Sequence, residues 1–126
     1  MLSAVYGCGY TYFLLNRDSD AESLLWRAVQ LAPGASRPRF YLGQIYLRTG
    51  RVELAEGNLR EALRLDPQAY GYHYWLARAL AARGDVVHAR MEYSEELELH
   101  PSNHDALGEV NPQSTSSLKR GTSVRN

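Results

Sequence analysis

Cysteine and lysine are almost missing from this chain: Cys8 stands alone, and Lys119 is the one lysine beside thirteen arginines. A single cysteine excludes an intrachain disulfide, so the fold must rest on packing. Arginine in place of lysine suits bidentate carboxylate partners, although coding bias accounts for the excess most simply. Charge imbalance is missing too, with 14 basic against 14 acidic residues. That argues against bulk attraction to nucleic acid or to an anionic membrane. The first fifteen residues, MLSAVYGCGYTYFLL, carry no charge. They fall short of the about 20 apolar residues that span a bilayer, and no basic segment precedes them as it does in a secretory leader. A cytoplasmic location is therefore the favoured expectation.

Catalytic signatures are also lacking. There is no G-x-S-x-G, no glycine-rich phosphate loop and no H-E-x-x-H. Cys8 has no base beside it in sequence and falls at a helix-packing position, the setting of an inert small hydrophobe. His100 and His104 are four apart with Pro101 between them, and His73 and His88 fall in different segments. None of these spacings matches a zinc pattern. The expectation is a non-enzyme without cofactor or metal.

What the chain does have is a period. Pro33, Pro67 and Pro101 stand 34 residues apart, and so do Ala21, Ala55 and Ala89; Asn16, Gly50 and Gly84; and Leu25, Leu59 and Tyr93. Self-similarity at a fixed period marks a repeat architecture, and this period belongs to a helix–turn–helix unit. Such a solenoid has no closed core and offers a long groove instead. The predicted helices are 2–15 and 19–31, then 37–48 and 52–65, then 70–82 and 86–99. Their apolar stripes, such as Val52, Ala55, Leu59, Ala62 and Leu63, follow the helical period. Ser36 and Asp85 are candidate N-caps, and Gly50 fits a left-handed helix end. The units run 2–34, 35–68 and 69–102. Residues 103–110 form a partial fourth helix or cap, and 111–126, polar and aperiodic, read as a disordered tail.

The residues in phase resemble the tetratricopeptide repeat, whose 34-residue unit reads W-x2-L-G-x2-Y, A-x3-F, P. The first unit has Val5, Cys8, Gly9, Tyr12, Ala21, Leu25 and Pro33. The second has Arg39, Leu42, Gly43, Tyr46, Ala55, Leu59 and Pro67, and the third has His73, Leu76, Ala77, Leu80, Ala89, Tyr93 and Pro101. The resemblance implies an all-α fold, an α-solenoid of antiparallel helix pairs wound into a right-handed superhelix. Small residues at Gly9, Gly43 and Ala77 suit close helix approach, and Tyr12 and Tyr46 suit packing between units. Glu96 departs from the pattern, since Ala28 and Ala62 hold the equivalent positions. A carboxylate at a buried interface is costly, so Glu96 is expected near solvent at an open C-terminal end.

The resemblance also implies where a partner binds. In this family the first helix of each unit lines a concave groove at its second, fifth, ninth and twelfth positions. Here these are Ser3, Tyr6, Tyr10 and Phe13; Arg37, Phe40, Gln44 and Leu47; and Gly71, Tyr74, Arg78 and Ala81. Arg48 follows Leu47, and Tyr41 and Trp75 fall on the rim. The peptide-binding set is Tyr6, Tyr10, Phe13, Arg37, Phe40, Gln44, Arg48, Tyr74 and Arg78, aromatic and arginine residues of the kind found in binding hot spots. Some of these rings can instead serve packing alone. The Lys and Asn clamp of chaperone-tail binders is absent from Tyr10, Gln44 and Arg78. The expected partner is a protein or peptide, with neither nucleic acid nor membrane. The alternative is an assembly segment of a larger protein, or a homo-oligomer joined through the open C-terminal end.

Overall fold

Pairs of antiparallel helices follow one another along the chain in a computed structural model that describes residues 2–110. The helices are α1 (Leu2–Leu14), α2 (Asp18–Leu31), α3 (Ser36–Arg48), α4 (Val52–Leu65), α5 (Tyr72–Ala82), α6 (Val86–Leu99) and α7 (His104–Val110), with no strand among the described residues. Each helix packs on the next, and α1 also touches α3 as α3 touches α5. The first helices of the pairs thus form one row and present a common inner wall. This is an α-solenoid. The segment 111–126, read from sequence as a tail, lies outside the described residues.

Close approach within a pair rests on missing side-chain atoms. A Cβ on Gly43 would stand 2.5 Å from Leu59 Cγ, and one on Gly9 would stand 3.0 Å from Leu25. Ala21, Ala55 and Ala89 are buried on the second helices. Every pair turns the same way. Asn16, Gly50 and Gly84 hold φ of 60°, 84° and 97°. The following N–H groups of Arg17, Arg51 and Asp85 reach back to the carbonyls of Tyr12, Tyr46 and Leu80 at 2.9, 2.7 and 2.9 Å. This left-handed Schellman turn satisfies helix-end carbonyls, and glycine or asparagine enters it most readily.

Between pairs the contacts combine apolar burial with ion pairs. Arg51 reaches Glu22 at 2.9 Å, and Arg83 reaches Glu56 at 2.8 Å. Glu22 and Glu56 are 34 residues apart, so the same glutamate position serves both junctions, with arginines from different positions of the next unit. These groups are partly exposed, so each pair adds little to stability.

Three expectations need correction. Ser36 is not the N-cap of α3. Ala35 holds that place, and the Ser36 hydroxyl is 2.9 Å from the Tyr72 hydroxyl. Cys8 is exposed, whereas Leu42 and Leu76, its counterparts, are covered by the preceding pair. Among the described residues, no helix lies against that face of α1. Glu96 is fully buried, not near solvent. α5 starts at Tyr72 because Gly71 adopts a left-handed φ of 87°. The backbone N–H groups of Gly71 and Tyr74 donate to the Glu96 carboxylate at 2.8 and 3.4 Å, and Asn103 Nδ2 donates to it at 3.1 Å. A buried carboxylate is tolerable when several donors meet it. The other N-cap expectation agrees with the structure: Asp85 accepts from the His88 N–H at 3.2 Å.

Candidate functional site

The inner wall is aromatic because the 34-residue register stacks ring on ring. Tyr6 stacks on Tyr10, and Tyr10 on Phe13, each with centroids 6.3 Å apart along α1. Tyr41 of α3 is the hub. It lies 5.0 Å from Tyr10, 4.9 Å from Phe13 and 5.2 Å from Phe40. Phe40 then stacks on Tyr72 at 4.3 Å, which carries the ladder into the third pair. Burial, reinforced by the neighbouring phenols Tyr6 and Tyr10 and opposed by the Arg37 guanidinium, pushes the Tyr41 phenol up to about 12. The Tyr41 phenol therefore stays neutral at physiological pH.

A cavity of about 560 Å³ opens on this wall. Arg37, Phe40, Tyr41 and Gln44 line it from α3, Tyr74, Trp75 and Arg78 from α5, and Asn103 and Asp105 from the start of α7. Arg78 lies over the Trp75 ring at 4.7 Å and over Tyr74 at 5.9 Å. Arg37 and Arg78 are exposed at their sites, whereas Phe40 and Tyr74 are buried. The cavity thus has an apolar floor and two cationic edges. An apolar side chain can lie on the floor while a carboxylate or carbonyl meets an arginine.

Of the residues singled out from sequence, the structure brings Arg37, Phe40, Gln44, Tyr74 and Arg78 into this one cavity. Tyr6, Tyr10, Phe13 and Arg48 are not among its lining residues. Tyr6 lies beside Arg37 in a smaller hollow of about 250 Å³, with Leu2, Ser3, Ala35 and Pro38. Tyr10 and Phe13 face Tyr41. Arg48 is engaged elsewhere: its guanidinium donates to Asp18 at 2.6 Å and to the Phe13 carbonyl at 3.2 Å, and it lies over the Phe13 ring. It ties the end of α1 to α3. Tyr12 is half-buried beneath Arg17, and Tyr46 is buried beside Arg51. Trp75 and Tyr41, placed on the rim from sequence, line the cavity itself. Tyr70, Tyr72, Asn103 and Asp105 were not singled out as groove residues. The inserted bend at Gly71 brings the first two to the site, and the docking of α7 brings the others.

Three of the four histidines have local partners. His73 Nδ1 is 2.6 Å from Glu92, His88 Nδ1 is 2.7 Å from Asp85, and His100 Nε2 is 2.9 Å from the Gln68 carbonyl. Among the described residues, no group of three or more His, Cys, Asp or Glu residues is placed to hold a metal ion. No described helix is long and apolar enough to cross a membrane.

A stacked row of helix pairs with a concave aromatic wall defines a helical-repeat solenoid. A tetratricopeptide repeat model matches residues 15–67 and again residues 40–104, and the chain belongs to the tetratricopeptide repeat family. None of the curated proteins compared with the chain matches it. Solved structures share the fold. The first TPR domain of Spaghetti (RPAP3), bound to the HSP90 peptide SRMEEVD, superposes with a TM-score of 0.84 at 20% identity over 91% of this chain and 94% of that one. The Yersinia enterocolitica type III secretion translocator chaperone SycD, an alternative dimer, gives 0.83 at 16% identity over 91% and 92%. A Thermobaculum terrenum O-GlcNAc transferase mutant gives 0.82 at 30% identity over 86% of this chain, which spans 21% of that one.

Proposed function

We propose that the chain is a protein-interaction module that holds a partner peptide in the cavity between α3, α5 and α7. The observation that carries this reading is the floor of Phe40, Tyr41, Tyr74 and Trp75 edged by Arg37 and Arg78. Aromatic and arginine side chains in a partly desolvated pocket are the usual anchors of binding energy. The similarity to a TPR domain bound to a peptide supports the reading at the level of fold. Selecting peptides on the chain from a displayed random library, then titrating a selected peptide by calorimetry, tests it. Arg78→Ala or Trp75→Ala should weaken binding roughly 30-fold, the effect of a typical hot-spot truncation. Glu95→Ala, exposed on α6, should leave binding unchanged. A peptide that responds to Glu95 and ignores both groove residues would place binding on the convex face.

An assembly role is the second reading. Val86, Val87 and Met91 are more than half exposed on α6, and such side chains favour burial against another surface. Sedimentation of the chain at rising concentration decides between a monomer and a self-associating segment.

A further inference from the structure

Both partners of the buried Glu96–Asn103 bond break the repeat in the same way. Glu96 stands where the earlier units have Ala28 and Ala62, and Asn103 stands where they have Ala35 and Ala69. The two exceptions meet each other. Asn103 Nδ2 donates to Glu96 at 3.1 Å, while its Oδ1 accepts from the Ala106 N–H at 3.2 Å and so caps α7. Helix α7 also packs along α6. It has seven residues, too few to persist unaided in water. Ala106 is its buried apolar anchor, while Leu107 is 46% exposed. The docking of α7 therefore includes a hydrogen bond to the buried Glu96 side chain.

That position matters to the groove, whose occupancy by a peptide this inference takes from the reading above. Asn103 and Asp105 form one end of the cavity. Tyr74 sits between opposing charges there: Arg78 favours its ionised form, while Asp105 and Glu109 join its burial in opposing it. α7 thus brings carboxylates to the end of the groove where Arg78 waits for one.

We propose that α7 is an acidic end wall of the groove, latched by the Glu96–Asn103 hydrogen bond, and that releasing the latch lengthens the groove and strengthens its hold on an acidic peptide. The docked helix holds the Asp105 carboxylate in the cavity that Arg78 lines, where it repels an acidic partner. Once undocked, it leaves Arg37 and Arg78 facing a longer, more positive channel.

The test uses the full chain with Asn103→Ala and Glu96→Ala, each restoring the residue that the other units carry. Hydrogen exchange should quicken about tenfold or more at residues 104–109, with Leu42–Tyr46 unchanged. At residues 104–109 the double variant should add little to Asn103→Ala, which already breaks the shared bond together with the cap on Ala106. In a Trp26→Phe background, iodide should quench Trp75 more strongly in the latch variants. A poly-glutamate peptide should bind Asn103→Ala several-fold more tightly than the unmodified chain, and Arg78→Ala should remove that gain. Unchanged exchange in α7, or equal loosening at Leu42–Tyr46, overturns the latch. Released α7 without a gain for poly-glutamate overturns the acidic wall. If peptides selected on the unmodified chain still respond to Trp75, the groove reading survives that failure. If they ignore Trp75 while α7 behaves as a latch, the groove reading fails alone.

Discussion

Tyr74 shows what a single side chain in this wall must do twice. It lines the cavity, yet it is 8% exposed and packs 5.7 Å from Tyr93 and 5.6 Å from Trp75. Truncating such a ring leaves a cavity, at a cost of about 3–5 kcal/mol, so Tyr74→Ala reports stability before it reports binding. Arg78, exposed over the same rings, separates the two. Glycine positions divide as sharply. Gly43→Ala should destabilise by about 1–3 kcal/mol, because the new methyl meets the branch carbon of Leu59. Gly57→Ala, with nothing within 4 Å of the added atom in the middle of α4, should stabilise by about 0.5–1 kcal/mol. Urea unfolding of both variants checks the pair, and the same sign for both would contradict the packing described. Some of this detail was legible in the sequence. The spacing of Asn16, Gly50 and Gly84 marked the turns, since each turn demands the same backbone. The partners of Arg48 were not legible for a physical reason: adjacency to a groove position does not reveal that Asp18 and the end of α1 lie within its reach. Tyr41 was placed on the rim because helical spacing within α3 says nothing about rings arriving from α1.

Among the elements, α5 and α6 form the pair with a built-in response to pH. His73 on α5 and Glu92 on α6 meet at 2.6 Å, both largely buried. The hydrogen bond to Glu92 raises the His73 pKa despite desolvation. A raised pKa means that folding favours the protonated ring. The contribution is complete below about pH 6.5, the value of a free imidazole, and is lost as pH rises through the folded-state value. The urea midpoint should therefore fall across that window, and Glu92→Gln should flatten the dependence. A midpoint that rises instead would reverse the assignment. Helix existence was plain in the sequence, as every stripe repeated in phase. The start of α5 was not, because the left-handed bend at Gly71 depends on a carboxylate 25 residues away. The same bond explains why Glu96 was expected near solvent. Its identity signalled the cost of burial, while its three donors come from folding.

For the molecule as a whole, stability is a sum over neighbouring units, and the end faces are where that sum is least complete. Exchange should be slowest in α3 and α4, which have pairs on both sides, and faster toward α1 and α6. Cys8, lying on the uncovered side of α1, should react fully with an aromatic disulfide reagent in the native state. Protection that lifts on dilution would reveal a second copy on that face and favour the assembly reading. The groove was only partly legible at this scale: residues 103–110 read as a partial fourth helix or cap, but a repeat pattern does not tell that Asn103 and Asp105 reach the cavity.

The ring ladder has a photophysical side. Tyr6, Tyr10 and Tyr41 stand in successive contact, Tyr72 follows through Phe40, and Tyr93 meets Tyr74, which touches Trp75 edge-on. Light absorbed by these phenols has an indole acceptor at the mouth of the cavity, so the inner wall works as an antenna. Exciting tyrosine in a Trp26→Phe chain should yield tryptophan emission from Trp75, and anything that settles on that indole should change its colour and yield. The chain carries its own optical reporter, with no dye attached.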